Sequence, residues 1–208
     1  MDDVTVRPAR AGDLDRLIAI MYDEPGRDLL SVAPDPRKAR AVGALILRQG
    51  IELRPERTLV AELDGLVVGL METMRPSEDT IITPLAVVRV LARAMPIVGP
   101  AGVLRYFQYQ RVRARVQVDR APRSFYIAEL DVHPECRNRG IGGALLRYAE
   151  EVARREGFIT MSLTTSTINP AQHLYQRHGF HIVETRLDAA YEAMTGIPGR
   201  VLMVKELA

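Results

Sequence analysis

The residues best equipped for chemistry form one short run, Arg137-Asn138-Arg139-Gly140-Ile141-Gly142-Gly143, between a strand-like alternation and an amphipathic helical pattern. Glycine lets a backbone approach a ligand with no Cβ in the way. The first turn of the following helix offers unpaired N–H groups and the positive end of the helix dipole, which suit phosphate oxygens. Arg137 and Arg139 add two full positive charges beside them. On physical grounds this is a cradle for a diphosphate, although a glycine cluster alone serves equally well to turn a strand into a helix. Two other phosphate loops do not fit. A P-loop needs lysine and a hydroxyl residue after its last glycine, and neither follows here. A dinucleotide fingerprint needs a third glycine where Leu145 stands, and it belongs to the first βαβ unit rather than deep in the chain.

Other chemistry-bearing residues have plainer readings. Cys136 lies three residues after His133, across a His-Pro turn in which the side chains need not meet, so a covalent nucleophile is not expected. His173, His178 and His181 lack cysteine or carboxylate partners at metal-ligand spacing, and no metal is expected. Arg89, Arg93, Arg105, Arg111, Arg113, Arg115, Arg120 and Arg123 fall between Pro76 and Ser124, against Glu78, Asp79 and Asp119. That stretch therefore carries +5 and the remainder −3. The run from Arg105 to Arg123 reads as a solvated helix face, a dimer surface, or a site for an anionic acceptor or nucleic acid. With only Tyr106, Phe107 and Tyr109 as stacking aromatics, nucleic acid is the least favoured.

Apolar spacing outlines the elements that must position these groups. Val4 to Arg7 alternates as a short strand stopped by Pro8, and Asp13 caps a helix with Leu14, Leu17, Ile18 and Met21 at helical spacing. Asp23 to Pro36 reads as a loop with at most a short helical turn, and Arg37 to Gln49 as a helix closed by Gly50. Two strands, 58–63 and 66–72, flank Asp64-Gly65, a pair that accepts the positive φ angles of a two-residue hairpin turn. Ile81 to Val118 is apolar and helical in pattern but broken by Pro84, Pro96 and Gly99-Pro100, as expected of a two-helix insertion. Its arginines leave no run of about 18 uncharged apolar residues to span a bilayer.

Ser124 to Val132 alternates, placing Phe125, Ile127, Glu129 and Asp131 on one face and Tyr126, Ala128, Leu130 and Val132 on the other. Ile141, Leu145, Tyr148, Ala149 and Val152 mark a helix stripe that ends at Gly157, and Ile159, Met161 and Leu163 alternate in a further strand. Asn169-Pro170 starts a helix running to Gly179, with Asn169 as its cap. Residues 180–185 and 201–204 are two last strands, joined through Gly196-Ile197-Pro198-Gly199.

Composition sets the outer bounds. At 208 residues a single domain, 1–208, is the expected size, with 76–123 as an insertion within it. Hydrophobic residues at 47% and charged ones at 26% argue against disorder, and a net charge of +2 argues against a polycation for nucleic acid. Lys38 and Lys205 are the only lysines among 28 basic residues, which reads as composition bias. A lone cysteine makes no internal disulfide, and the acidic start Met1-Asp2-Asp3-Val4 lacks an apolar leader, so a cytoplasmic location is expected.

Two segments at the right separation resemble the GNAT superfamily of N-acetyltransferases. The run from Tyr126 to Pro134, followed by Arg137-x-x-Gly140-x-Gly142, is similar to that family's fourth strand and acetyl-CoA pyrophosphate loop. Asn169-Pro-Ala-x-x-Leu-Tyr175-x-x-x-Gly179-Phe180 is similar to its second signature. The resemblance is close over 124–180 and looser over 4–74, and the long stretch before Ser124 departs from the family's short link. It implies an α/β (α+β) fold, a mixed, mostly antiparallel sheet flanked by helices, here with a helical insertion between the third and fourth strands.

The same resemblance implies roles. The backbone of Leu130, Asp131 and Val132 would bind the pantetheine arm like an added strand, with the Val132 N–H polarising the thioester carbonyl. Arg137, Asn138, Arg139, Gly140, Ile141, Gly142 and Gly143 would hold the pyrophosphate, Asn169 would bind the cofactor arm, and Tyr175 would protonate the departing thiolate. Glu129 would be the general base, or else a sheet-face carboxylate satisfied by an arginine; Tyr175 has a packing role and Asn169 a capping role as alternatives. The implied function is direct transfer of an acetyl group from acetyl-CoA to a primary amine of a small-molecule or peptide acceptor, with the insertion and residues 188–199 shaping the acceptor pocket. The alternatives are transfer of a longer acyl group, and a non-catalytic acyl-CoA-binding module whose insertion contacts a partner or forms a homodimer. The set Glu129, Asn169 and Tyr175 favours an enzyme.

Overall fold

The computed structural model describes residues 4–22, 24–53, 57–76 and 84–207. Strand β1 (Thr5–Pro8) leads through a 3-10 turn (Ala11–Asp13) into helices α1 (Leu14–Tyr22), α2 (Arg27–Val32) and α3 (Pro36–Leu53). The hairpin of β2 (Thr58–Leu63) and β3 (Leu66–Met74) precedes the long helix α4 (Pro84–Arg113). Then follow β4 (Phe125–Val132), α5 (Ile141–Arg155), β5 (Thr160–Ser166), α6 (Gln172–Arg177), β6 (His181–Leu187), α7 (Ala189–Thr195) and β7 (Gly199–Glu206). The strands form one sheet in the order β1-β2-β3-β4-β5-β7-β6, antiparallel except for β4 against β5.

Local chemistry accounts for the element ends. Asp64 and Gly65 both hold positive φ, 52° and 77°, which the two-residue turn requires. Asp13 accepts the Arg10 N–H at 2.7 Å and the Arg7 guanidinium at 2.8 Å, which fixes the entry to α1 and holds its carboxyl below the usual range. Gly50 does not end α3, which continues to Leu53; an interior helical glycine costs only about 1 kcal/mol. The short helical turn allowed for within 23–36 is α2, six residues long. One helix was not expected. Residues 188–199 contain α7, capped by Asp188 accepting the Tyr191 N–H at 2.8 Å and closed by Gly196 at φ 69°. Gly99, at φ 68° and ψ −179°, breaks α4 into two halves, as expected of a two-helix insertion; Glu78, Asp79 and Ile81 lie outside the described residues.

Helices cover both faces of the sheet. The α5 stripe of Ile141, Leu145, Leu146, Ala149 and Ala153 is buried on Ala61, Met71, Phe125, Ile127, Met161 and Met203. On the opposite face Leu17, Ile18 and Leu47 pack on Val60 and Leu70. Each large apolar side chain so buried contributes about 1.5–3 kcal/mol. A third cluster, Val32, Tyr109, Val116, Tyr191 and Ile197, ties the second half of α4 to α2 and α7.

One irregularity decides where the site faces. Glu72 is opposite Glu129 but Thr73 is opposite Ile127, so Ala128 is an extra residue in β4, a bulge. In an element of period two, one added residue turns every later side chain over. Phe125 and Ile127 point into the α5 core, and beyond the bulge it is Leu130 and Val132 that pack there. Glu129 and Asp131 consequently share the α1 face with their cross-strand partners Glu72 and Leu70. This corrects the simple alternation, which grouped Glu129 and Asp131 with Phe125 and Ile127.

Candidate active site

Strands β4 and β5 pair only over Phe125–Ile127 and Met161–Leu163. Beyond that they part, and a cavity of about 420 Å³ opens between them, lined by Glu129, Leu130 and Asp131 on one side and Thr164, Thr165, Ser166, Asn169 and Tyr175 on the other. Because β5 has left, half of the β4 backbone groups here face the cleft. The His133 N–H donates to Val68 O at 2.8 Å, so strict alternation in the antiparallel pair turns Asp131 and Glu129 backbone toward β3 and leaves Leu130 and Val132 N–H pointing away from it, Leu130 lining the cavity. In agreement, the Val132 carbonyl accepts from Arg137 Nε at 3.2 Å instead of from β3. The Asp131 backbone, expected to bind the pantetheine arm, is therefore turned to β3, although the residue lines the cavity.

The glycine loop lies between β4 and α5. Asn138 and Gly140 hold φ of 62° and 81°, and Gly140 is the residue preceding the first turn of α5, so the N–H groups of Ile141, Gly142 and Gly143 open that helix. Glycine at 142 and 143 also serves packing: a Cβ at Gly142 would lie 2.9 Å from Leu174 Cδ2, and one at Gly143 would lie 3.0 Å from His178 Nε2. Arg137 has its charge exposed, 3.9 Å from Glu24, and Arg139 is exposed as well.

Electrostatics at the inner end are unusual. Glu129 and Glu72 are direct cross-strand partners and Asp131 follows on the same face, although like charges placed opposite each other destabilise a sheet. Glu129 keeps an exposed surface beside the cavity it lines, yet burial around its carboxyl first, then the neighbouring Asp131 and Glu72, push it up to about 8. Asp131 and Glu72 are raised as well, chiefly by burial, with Arg57 partly offsetting the shift at Glu72. Tyr22, at the end of α1, is raised by burial and then by the same three carboxylates. Its ring lies against Gly43 of α3, where a Cβ would come within 2.5 Å. Tyr175 is buried edge-on to Phe180 at 6.1 Å, and burial with the nearby Glu129 and Asp131 keeps its phenol protonated. Asn169 Oδ1 accepts the Ala171 N–H at 2.9 Å while Nδ2 donates to Thr165 Oγ1 at 2.7 Å, so it caps the turn before α6, whose first helical residue is Gln172 rather than Pro170.

The far wall is a network from four elements. Asp28 of α2 accepts from Tyr191 Oη at 2.7 Å and from Arg200 Nη1 at 3.2 Å, and Tyr109 of α4 is buried beside it. Asp28, Arg200, Arg27 and Ile197 line the cavity, whereas none of the described α4 residues does. Among its described residues the insertion thus meets the pocket only indirectly, through Tyr109, where it was expected to shape the surface; of the 188–199 stretch, Ile197 reaches it. Cys136 packs against the α5 core, away from the cavity. Among the described residues no group of three His, Cys, Asp or Glu side chains could hold a metal. Glu72, Tyr22, Asp28 and Arg200 were missed from the sequence. The only available signal was the strand register that sets Glu72 opposite Glu129.

The family model described as Acetyltransferase (GNAT) family matches residues 19–180. No match is found among the curated proteins. Among solved structures, an acetyltransferase of Corynebacterium glutamicum is 20% identical, with 100% of this chain and 98% of that one covered at a TM-score of 0.65. An agmatine N-acetyltransferase is 19% identical over 99% of this chain and 100% of its own, TM-score 0.58. A chain of the NatC complex bound to Gag peptide and CoA is 14% identical over 99% of each, TM-score 0.57. At these identities the likeness is one of fold.

Proposed function

The chain belongs to the GNAT acetyltransferase family, and from that premise we propose that it moves the acetyl group of acetyl-CoA to a primary amine by direct attack, in the cytoplasm. The observation that carries this is the parting of β4 from β5, which frees the Leu130 and Val132 N–H groups from strand pairing and opens a cavity lined by Leu130, Glu129, Asn169 and Tyr175. Acetyl-CoA supplies the activated acyl group. Arg137 and the first-turn amides of α5 hold its diphosphate, and Leu130 binds the pantetheine arm as an added strand. The Val132 N–H donates to the carbonyl oxygen where negative charge develops. Glu129 takes the proton that the amine must lose, with Asp131 and Glu72 drawing a protonated amine toward it. Tyr175 gives its proton to the leaving sulfur.

A thiol-release assay with acetyl-CoA and a panel of monoamines, diamines and peptide N-termini tests this. Amine-dependent thiol release with at least one member is expected, strongest for acceptors carrying a further positive charge. Thiol release no faster than hydrolysis with every amine, in protein that still binds CoA, would leave the non-catalytic binding module as the better description.

A further inference from the structure

The surface of α4 has a composition unlike that of the rest of the molecule. Its most apolar 18-residue window reaches a mean hydropathy of 1.5, yet only 11% of that window is buried. In the first half, Leu85, Val88, Arg89, Ala92, Arg93 and Pro96 recur at i, i+3, i+4, i+7, i+8 and i+11, and all are exposed. In the second half Pro100, Leu104, Phe107 and Arg111 recur at i, i+4, i+7 and i+11, again all exposed. Leu85, Val88, Met95, Leu104 and Phe107 remain 42–60% open to solvent. Each half therefore presents a strip of bulky apolar side chains flanked by arginines.

We propose that α4 seats the protein on an anionic lipid surface, its apolar strips entering the headgroup boundary and its arginines meeting lipid phosphates. Charge complementarity selects this occupant. Helix α4 itself carries five arginines, Arg89, Arg93, Arg105, Arg111 and Arg113, and no acid. A second copy packed through the same face would set guanidinium against guanidinium across a two-fold axis. An anionic bilayer offers the opposite charge, worth about 1 kcal/mol per arginine near the surface, and an apolar interior for the leucines and Phe107. Long arginine stems let the charge stay at the headgroups while the methylenes lie along apolar surface. The helix lies on the membrane and does not cross it. Gly99 cuts it into halves of about 22 Å and 21 Å at 1.5 Å per residue, short of the roughly 30 Å hydrocarbon core. The second half is also pinned to the domain by Tyr109 and Val112 in the cluster with Tyr191.

The test is flotation of the full chain with phosphatidylcholine vesicles and with vesicles in which phosphatidylglycerol replaces part of that lipid. The protein is expected to float with the anionic vesicles only. It is expected to be released near 1 M salt, where screening acts within about 3 Å. The double variant Arg89→Gln/Arg93→Gln should lower partition about thirtyfold, from about 1 kcal/mol for each arginine. Leu104→Ser/Phe107→Ser should lower it comparably, and both should keep soluble acetyl transfer and the thermal midpoint, since all four side chains are exposed and outside the cavity. No flotation with either vesicle would overturn the proposal, as would equal flotation with both. It would also be overturned by a dimer in light scattering that Leu104→Ser/Phe107→Ser dissociates, or by RNA binding at this face in protein that does not float.

Discussion

Replacing Glu129 by glutamine is expected to lower kcat by about a hundredfold to ten-thousandfold, the range removed with a positioned general base, while affinity for CoA is kept. The glutamine is nearly isosteric and Glu129 makes no ion pair among the described residues, so its loss leaves no arginine stranded. The pH profile identifies the role. A base acts in its ionised form, so kcat/KM of the parent should climb as pH rises through about 8 and then level off. Because Glu129, Asp131 and Glu72 interact, the inflection belongs to the group as a whole. In the glutamine variant that inflection should vanish. Stability moves the other way. A carboxyl raised on folding costs stability once pH exceeds its unfolded value, and the cost is complete above its folded value. Glu129→Gln removes that cost, so the variant should be at least as stable as the parent at alkaline pH. Chemical denaturation at that pH separates a lost base from a lost fold; unchanged kcat in a folded variant would remove Glu129 from the chemistry.

Tyr175→Phe should lower kcat by about a hundredfold or more, again the scale of a positioned proton donor. Phenylalanine keeps the buried ring and its edge contact with Phe180, so folding should be preserved. Burial beside Glu129 and Asp131 holds the phenol protonated across the neutral range, the state an acid needs, and an unperturbed thiol with a pKa near about 8.5 leaves poorly as its anion. The discriminating readout is the leaving group. With a thioester whose thiol is more acidic, the variant should recover most of its deficit while the parent changes little. A deficit independent of thiol acidity would assign Tyr175 to packing alone.

Several parts of this architecture were legible in the residues themselves. The Asp64-Gly65 hairpin, the α5 stripe and the glycine loop each rest on local chemistry, and local chemistry is what a single sequence displays. The reversed face of β4 was not legible, because the bulge at Ala128 arises from pairing with β3 across more than fifty residues of chain. For the same reason Glu129 could be named while Glu72 and Tyr22 could not: their proximity is created by sheet register and by α1 lying over it. Asp28 and Arg200 stand far apart in the chain and meet only when α2 packs against β7 and α7. The missed helix α7 is different. Asp188 as cap and Gly196 as terminator were present to be read, but the Gly-Ile-Pro-Gly run beside them gave the stretch the look of a loop.

In the proposed function, bare amides at the start of α5, with Arg137, grip the diphosphate of a thioester coenzyme. Calorimetric titration of the folded protein with CoA, and separately with pantetheine, which lacks that diphosphate, tests it most directly. One saturable site is expected for CoA, with pantetheine far weaker and Arg137→Ala losing about tenfold to a hundredfold in affinity, as a charge-assisted hydrogen bond would. No heat with CoA, or pantetheine bound as tightly as CoA, would contradict it.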